Sequence, residues 1–280
     1  MTAKPRSRPF GPRPLKELGQ HFLIDEEIAQ RIADAAQLKW EDRAFEIGPG
    51  RGILLRFLLK QSQKVTAVEV DYRLQKSLLS AFGGHPGLNL IFEDILTYDL
   101  DAYIAEEETP VKLLGNLPYN LSSPLLFKLF ETAERLQTSE VNPFQSATLM
   151  LQREVAERIC TDPGTRAGGG ITIFRALVAE AELLFHVPPN AFHPPPKVTS
   201  SVLQLRFYNR RKYDIVDQYQ FIALVHHVFR SRRKMLKNTV AGLSWLKPDW
   251  QQQDFNFTQR PEALSLNEFI RMFDLIRQNS

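Results

Sequence analysis

The sequence has one cysteine, Cys160, in 280 residues. A disulfide within the chain is therefore excluded, and a reducing setting, in the simplest case the cytoplasm, is the expectation. Long apolar runs are also missing: no stretch approaches the roughly 18 residues that a membrane span needs, and the N-terminus has no apolar signal segment. Since 43% of the residues are hydrophobic, we expect a soluble globular protein with a sizeable core and no membrane contact.

A strong net charge is missing too, but the charge of +3 is unevenly spread. Residues 1–16 hold five Lys or Arg and no acid. Residues 206–237 hold nine basic residues against two acidic ones, which leaves 21 basic and 30 acidic residues elsewhere. A chain that is net acidic except for two basic segments is typical of a protein that binds a polyanion through those segments. For either run taken alone, a solvated face is the alternative interpretation.

Apolar runs typical of strands alternate with helical patterns up to residue 152. This alternation indicates βαβ units and a parallel sheet. Two further strands flank the proline-rich stretch "PPNAFHPPPK", and beyond residue 210 only helical periodicity remains, with a last amphipathic helix at 265–277. We therefore predict a flexible basic arm over residues 1–14, an α/β domain over 15–209 and a small all-helical domain over 210–280.

Three successive predicted strands end in glycine or acidic residues. "FEIGPGRG" at 45–52 follows a strand and opens a helix, so backbone amides near Gly48 can approach a ligand. Glu69 ends the next strand, where a carboxylate can accept the hydroxyls of a ribose. Sites for NAD and for S-adenosylmethionine both use such an acid, so both cofactors remain open. Asp94 ends the third strand, where it can accept from an adenine amino group or cap a turn.

The fourth strand ends in "NLPY", which suits a reaction at an exocyclic amino group. The lone pair of that nitrogen is delocalised into the ring, and two acceptors on its hydrogens would free it. The Asn116 side-chain oxygen and the Leu117 carbonyl are the candidate acceptors. Pro118 presets the direction of that carbonyl, and Tyr119 offers a ring for stacking. A structural turn with a buried tyrosine is the alternative.

Two later segments complete the candidate site. The stiff connection around "NAFHPPPK" should fix the position of Phe192. "FRSRRKMLKN" predicts one helix whose basic face binds phosphates. That face holds Arg230, Arg233, Lys234 and Lys237, opposite Phe229, Leu236 and Val240. The histidines show no convincing metal-ligand spacing, and Cys160 is expected to be a small buried hydrophobe, so we expect no metal site.

These residues carry a resemblance to a known family. From about residue 15 to the C-terminal part, the chain resembles the ribosomal RNA adenine N6,N6-dimethyltransferases, the dimethyladenosine transferase or kasugamycin-sensitivity family, and specifically the small-subunit branch. The motifs that carry the resemblance are "LGQHFL", "EIGPGRG", "VEVD", "EDI", "GNLPYNLSSPLLFKL", "MLQREVAERI", "VPPNAFHPPPKVTSSV" and "VFRSRRKMLKN". Two positions depart from the family pattern: His21 stands where Asn is more common, and "AGGG" at 167–170 replaces a segment that commonly carries an aromatic and a basic residue.

The resemblance implies a Rossmann-like class I methyltransferase domain with S-adenosylmethionine as donor. It also implies that two adjacent adenosines in the 3′-terminal hairpin of small-subunit ribosomal RNA, within a pre-ribosomal particle, are the targets of a monomeric enzyme. The donor contacts that it implies are His21 and Leu23 at the methionine end, Gly48 at the backbone cradle, Glu69 at the ribose, Asp94 at the adenine and Asn116 at the reacting centre. Tyr119 and Phe192 would sandwich the target adenine.

Three other functions compete with this one. A large-subunit RNA methyltransferase of the erythromycin-resistance type shares the core motifs, although "NLPYN" and "FHPPPKV" favour the small-subunit branch. An NAD oxidoreductase would use Gly48 and Glu69 but gives "NLPY" no role. A non-catalytic RNA-binding assembly factor stays open, although every expected catalytic position is filled. Donor binding together with turnover separates the last alternative from an enzyme.

Overall fold

The structure, a computed structural model, describes residues 12–15, 17–106, 109–136, 142 and 144–277. The strands of this part are β1 (Phe22–Leu23), β2 (Arg43–Ile47), β3 (Lys64–Glu69), β4 (Leu88–Phe92), β5 (Val111–Asn116), β6 (Phe144–Gln152), β7 (Ala179–Val187), β8 (Phe192–His193) and β9 (Ser200–Phe207). Its α-helices are α1 (Glu26–Ala35), α2 (Leu55–Gln61), α3 (Gln75–Phe82), α4 (Leu100–Ala105), α5 (Ser122–Leu136), α6 (Arg153–Cys160), α7 (Gly170–Val178), α8 (Gln218–Phe229), α9 (Leu236–Val240) and α10 (Leu266–Ile276). Short 3-10 helices cover Tyr72–Leu74, Pro189–Ala191, Trp250–Gln252 and Pro261–Ala263.

Seven of these strands form the central sheet, in the order β4-β3-β2-β5-β6-β9-β7. Neighbouring strands within the set β2 to β6 run parallel, whereas β9 runs antiparallel to both β6 and β7. The predicted parallel α/β sheet is confirmed. Ile47, the last residue of β2, lies opposite Val68 and Gly115 on the two flanking strands. Because these strands are parallel, the chain segments that follow them meet at one edge of the sheet.

Helices cover both faces of the central strands. In β2 the side chains of Phe45 and Ile47 belong to one apolar cluster, and that of Ala44 belongs to another on the opposite face. Strands buried on both faces are apolar at successive positions, which is how "RAFEI" and "VKLLGN" read. Lys112 is the buried cation of β5, and its Nζ lies 2.7 Å from the Asp42 carboxylate. A paired charge of this kind is tolerated inside a sheet.

Beyond residue 210 the described chain adds no strand to the sheet and is largely helical, as predicted. The predicted last helix at 265–277 is confirmed as α10. The ring of Phe221 on α8 packs edge-on against Phe269 and Phe273 of α10, at centroid distances of 6.1 and 5.4 Å. One apolar cluster runs from the sheet through Phe174 of α7 into these helices. The division into separate domains stays a prediction.

The predicted single helix through residues 230–237 is wrong. Helix α8 ends at Phe229, residues 230–235 form turns, and a new helix, α9, begins at Leu236. The backbone N–H groups of Leu236 and Lys237 donate to the carbonyls of Gln259 and Phe257 instead of continuing α8. A continued helix would also crowd like charges three and four residues apart, which destabilises helices. The basic side chains therefore do not share one helical face.

Only the end of the predicted basic arm is described. Residues 1–11 of the predicted arm lie outside the described residues. The carbonyl groups of Pro12 and Arg13 accept hydrogen bonds from the guanidinium groups of Arg51 and Arg73, both at 3.2 Å.

No helix in the described residues is long and apolar enough to cross a membrane.

Candidate active site

The glycine-rich turn after β2 lines a cavity at the carboxyl edge of the sheet. Gly48 and Gly50 have positive φ angles, +68° and +57°, which side chains rarely allow. A Cβ at Gly48 would meet no atom within 4 Å, whereas one at Gly50 would lie 3.2 Å from the Phe22 ring. The turn therefore brings bare backbone to the cavity wall, which suits the close approach of a nucleoside-type ligand.

Glu69, at the end of β3, is held in a fixed orientation at this wall. Its carboxylate oxygens accept hydrogen bonds from the backbone N–H groups of Gly50, at 2.8 Å, and Asp71, at 2.9 Å. Burial raises the pKa of Glu69, and these two hydrogen bonds oppose the rise. Each oxygen keeps a lone pair, so the group can still accept from a pair of hydroxyls.

A second buried acid, Glu46, lies on β2 and lines the same cavity. It is only 2% exposed, and burial, followed by repulsion from Glu69, raises its pKa to about 8. Its Oε2 has no hydrogen-bond partner among the described residues. Glu46 is not among the predicted site residues, although a charged residue inside the apolar run "AFEI" was a signal for it. With its pKa at about 8, Glu46 keeps its proton near neutral pH, so its unpaired oxygen is a hydrogen-bonding atom left for a ligand.

Asp94 lines the cavity from the end of β4. Its Oδ1 accepts a hydrogen bond of 2.9 Å from the N–H of Leu96, which is the turn-capping role considered above. Its Oδ2 has no protein partner in the described part of the chain. Capping and ligand binding are therefore compatible at this residue. The described residues contain no group of three or more His, Cys, Asp or Glu placed to hold a metal ion.

The N-terminal segment "LGQHFL" runs along the cavity and is fixed by long-range contacts. Strand β1 pairs antiparallel with β8, so that Leu23 lies opposite Phe192. The Nδ1 of His21 donates to the carbonyl of Pro194 at 2.8 Å. Gln20 donates to the Asp71 carboxylate, also at 2.8 Å. His21 and Leu23 thus line the cavity beside the glycine-rich turn and the acids.

Asn116 and Leu117 present acceptors at the end of β5. The Asn116 amide nitrogen donates to the main-chain carbonyl of His21 at 3.2 Å, which leaves its Oδ1 to accept from a ligand. The N–H of Leu117 donates to Met150, but no described donor bonds to the Leu117 carbonyl. The Pro118 carbonyl, by contrast, accepts from the N–H of Leu121 at the start of α5. The two free acceptors are the pair that the sequence predicts.

The two predicted stacking residues differ in their surroundings. The Tyr119 hydroxyl lies 2.7 Å from the Oγ of Ser200, and its ring centroid lies 5.5 Å from that of His21. Burial raises the pKa of Tyr119, so its hydroxyl stays protonated. Phe192 is 3% exposed, packs in an apolar cluster with Leu23, and does not line the cavity. Its role as a stacking partner stays a prediction.

The structure thus brings most of the predicted site residues to one cavity. Those that line it are His21, Leu23, Gly48, Glu69, Asp94, Asn116, Leu117, Pro118 and Tyr119. The four predicted RNA contacts lie elsewhere on the surface. They are all exposed, without a described side-chain partner, and comprise Arg230, Arg233, Lys234 and Lys237.

The strand order, with its antiparallel final pair, and the cavity beside the glycine-rich turn define a Rossmann-like methyltransferase fold. Residues 14–278 match the family described as ribosomal RNA adenine dimethylase. A relative from Magnetococcus marinus, named ribosomal RNA small subunit methyltransferase A, is 38% identical over 263 residues, which are 94% of this chain and 91% of the relative. The chain therefore belongs to the ribosomal RNA adenine dimethylase family, an enzyme family, and the predicted resemblance is confirmed.

Two solved structures share this fold. A dimethyladenosine transferase from Plasmodium falciparum is 25% identical, with a TM-score of 0.67 over 90% of this chain and 96% of the other. The 23S rRNA methyltransferase ErmE is 23% identical, with a TM-score of 0.64 over 91% of this chain and 99% of the other. At that identity ErmE shows the fold alone. The fold by itself therefore does not separate enzymes of the two ribosomal subunits.

Proposed function

We propose that the protein transfers methyl groups from S-adenosylmethionine to N6 of two adjacent adenosines in the 3′-terminal hairpin of 16S ribosomal RNA, forming dimethyladenosines. The observation that carries this proposal is the juxtaposition of two free acceptors, Asn116 Oδ1 and the Leu117 carbonyl, with the acid-lined cavity. The small-subunit target is supported by relatives such as the 38% identical protein of Magnetococcus marinus.

The residues of the cavity fit a donor with a nucleoside part. The open space at Gly48 accommodates its body against bare backbone, and the fixed Glu69 carboxylate suits the ribose hydroxyls. Asp94 would accept from the adenine amino group, while His21 and Leu23 would line the methionine end. The unpaired Glu46 oxygen offers one more hydrogen-bonding atom at the same wall. The donor supplies an activated methyl group on a sulfonium.

The protein's own residues would prepare the target nitrogen. Asn116 Oδ1 and the Leu117 carbonyl would accept its two N–H groups, which localises the lone pair toward the methyl group. The catalysis then consists of positioning and polarisation, with in-line transfer and no covalent enzyme intermediate. The proton of the resulting ammonium leaves to water. Tyr119, and Phe192 after a local movement that exposes its ring, would stack on the extruded adenine.

The substrate in this proposal is ribosomal RNA in a pre-ribosomal small-subunit particle, bound by a cytoplasmic monomer. The exposed cations at residues 230–237 would contact phosphates without forming a helical face. The rest of the chain is net acidic, with 30 acidic against 21 basic residues, and would not attract a polyanion. This division of charge supports RNA more than a small-molecule substrate.

The decisive experiment is methyl transfer from labelled S-adenosylmethionine to under-methylated small ribosomal subunits, with large subunits in parallel. The product nucleoside is identified by mass. Dimethyladenosine confined to the small subunit is the expected result. Label only in the large subunit would place the enzyme with the erythromycin-resistance type, and tight subunit binding without label would make it an assembly factor.

A further inference from the structure

The turn that follows β4 carries Asp94 to the cavity and is closed by its own hydrogen bonds. The main-chain carbonyl of Asp94 accepts from the N–H groups of Thr97, at 3.0 Å, and Tyr98, at 2.8 Å. The Oδ1 of Asp94 accepts from the N–H of Leu96 at 2.9 Å. We call residues 94–98 the Asp94 turn. Because these bonds tie the turn together, a shift of its far end also shifts the Asp94 carboxylate.

The two ends of the Asp94 turn have different surroundings. Asp94 and Ile95 line the cavity. Leu96 and Tyr98 do not line it and instead border a separate surface groove, together with Lys128 of α5. The Lys128 ammonium donates to the carbonyls of Leu96, at 2.9 Å, and Tyr98, at 2.5 Å. No other donor of the described residues bonds to the Leu96 carbonyl, so this end of the turn depends on Lys128.

The helix that carries Lys128 is anchored in the core. Leu125 and Leu129, on the same helix, are almost fully buried. Helix α5 also begins directly after the "NLPY" segment, where the N–H of Leu121 donates to the Pro118 carbonyl at 3.0 Å. Lys128 therefore links the helix next to the reacting centre with the turn that would bind the adenine of the donor.

The Lys128 ammonium is half-buried among charged groups. Burial lowers its pKa, and the carboxylates of Asp101, Asp94 and Asp99 oppose this fall. The Arg135 guanidinium lowers the pKa further. Hydrogen bonds from a charged donor are stronger than those between neutral groups. Two such bonds from one ammonium are therefore suited to hold the far end of the Asp94 turn.

We propose that Lys128 is a positioning residue for the adenine of the methyl donor. Through the carbonyls of Leu96 and Tyr98 it fixes the Asp94 carboxylate where that group accepts from the adenine 6-amino group. Lys128 does not line the cavity and so acts only through the turn. The strength of a hydrogen bond depends steeply on its geometry, so the selectivity for adenine depends on Lys128. This proposal rests on the proposed function, because that function assigns the adenine to Asp94.

The first test measures base selectivity with two ligands. S-Adenosylhomocysteine carries the 6-amino group, and its analogue with unsubstituted purine in place of adenine lacks it. We expect Lys128→Met to weaken binding of S-adenosylhomocysteine about tenfold and binding of the analogue less than about twofold, since only the first ligand donates to Asp94. Calorimetry measures both affinities. Equal losses for the two ligands would overturn the proposal, because they would indicate a general loosening of the cavity.

Arg135→Met is the matched control. Arg135 lies about two turns further along α5 and also ties this helix to the chain beyond β4. Its partner is the Asp101 carboxylate, at 2.6 Å, and not the Asp94 turn. We expect Arg135→Met to leave both affinities unchanged. The same loss of selectivity in this variant would contradict a specific role for Lys128.

A second substitution keeps the test independent of how well the site accepts an apolar side chain. The side chain of Lys128→Gln stays polar but is one bond shorter than lysine, so it loses the contact with both carbonyls. We expect the same loss of selectivity as for Lys128→Met, while thermal scans show that the variant is folded. A folded Lys128→Gln variant with the selectivity of the wild type would refute the proposal.

A double-mutant cycle identifies the route by which Lys128 acts. Asp94→Asn keeps an oxygen for the N–H of Leu96 but puts an amide in place of the second oxygen. If Lys128 acts through Asp94, adding Lys128→Met to Asp94→Asn changes the affinity for S-adenosylhomocysteine by less than about twofold. Losses that multiply in the double variant would contradict the proposal.

Turnover separates positioning of the donor from the chemical step. In methyl transfer to under-methylated small subunits, Lys128→Met should raise KM for S-adenosylmethionine about tenfold and leave kcat within about twofold, because Asn116 is untouched. A lowered kcat with an unchanged KM would refute the proposal. Equal affinity of the wild type for the two ligands would refute the assignment of adenine to Asp94, and this proposal with it. Selectivity that persists in Lys128→Met refutes this proposal alone, and absence of transfer by the wild type refutes the proposed function.

Discussion

The hydrogen bonds around Asn116 leave one of its polar atoms for a substrate. Its amide nitrogen is engaged by the His21 carbonyl, so the oxygen is the atom directed to other partners. We predict that Asn116→Ala lowers the methyl-transfer rate at saturating donor about 100-fold or more, because one acceptor on the reacting amino group is lost. Single-turnover transfer to small subunits measures the rate, and calorimetry measures donor affinity, which should be largely preserved.

Asn89→Ala is the matched control for that prediction. Asn89 is exposed on the edge strand β4, where the same truncation removes no contact with the cavity. It should leave both the rate and the donor affinity unchanged. If Asn116→Ala lost donor binding but kept a normal rate at saturation, the role assigned to Asn116 would be wrong.

Glu46 makes the stability of the empty protein depend on pH. Its pKa is raised from an ordinary value of 4.5 to about 8, so the folded state keeps a proton that the unfolded state releases. Between these values a rise in pH therefore lowers the free energy of unfolding. We predict that Glu46→Gln raises Tm relative to the wild type more at pH 9 than at pH 5. Thermal scans at both pH values, with the exposed Glu41→Gln as control, measure the effect; a gain independent of pH would contradict it.

At the scale of elements, local patterns predicted the strands better than the junctions between distant segments. The ends of β2, β3, β4 and β5 follow from apolar runs that stop at polar residues or glycine. The pairing of β1 with β8 has no such signal, because each strand has two residues and they lie about 170 positions apart. The break after Phe229 depends on bonds to residues 257–259, which a helical pattern at 229–240 does not contain.

The turns at 230–235 display cations that can be removed without loss of structure. Arg233 and Lys234 are exposed, with no described side-chain partner. We predict that Arg233→Gln and Lys234→Gln each reduce the log–log salt slope of subunit binding by about one, while Tm stays within about 1 °C, since surface substitutions hardly change stability. Binding titrations between 50 and 200 mM salt, roughly the range in which phosphate contacts dominate, measure the slope. Lys76→Gln, an exposed cation on α3, should leave it unchanged; a comparable change there would contradict a local contact.

At the scale of the whole molecule, the sequence predicted the chemistry of the cavity more completely than its packing. Glycine and acids at parallel strand ends converge because the strands are parallel, so Gly48, Glu69 and Asp94 could be placed together from their spacing. Whether Phe192 faces the cavity or the core depends on how β8 packs, which spacing does not determine. The charge inside the run "AFEI" was a signal for the second acid, Glu46, but one charged residue in a strand does not show which way its side chain is buried.

The apolar cluster that joins the sheet to the C-terminal helices has a consequence for unfolding. Phe269 is fully buried and contacts the rings of Phe221 and Phe229, in a cluster that also holds Leu113 of β5. We predict that Phe269→Ala costs about 3–5 kcal/mol, as for large cavities in cores, and that the chain still unfolds in one transition. Tyr219→Ala, which removes an aromatic side chain that is 75% exposed on α8, should change stability little.

Residue-resolved hydrogen exchange distinguishes a chain that unfolds as one unit from two domains that unfold independently. If the shared cluster couples the two parts, Phe269→Ala lowers the protection of β5 amides as much as that of α10 amides, because both open only in the global transition. If α10 amides alone lost protection, the helices beyond residue 210 would unfold on their own. The predicted boundary near residue 209 would then also be a boundary of stability, and the cluster would be an interface between two separately folding units.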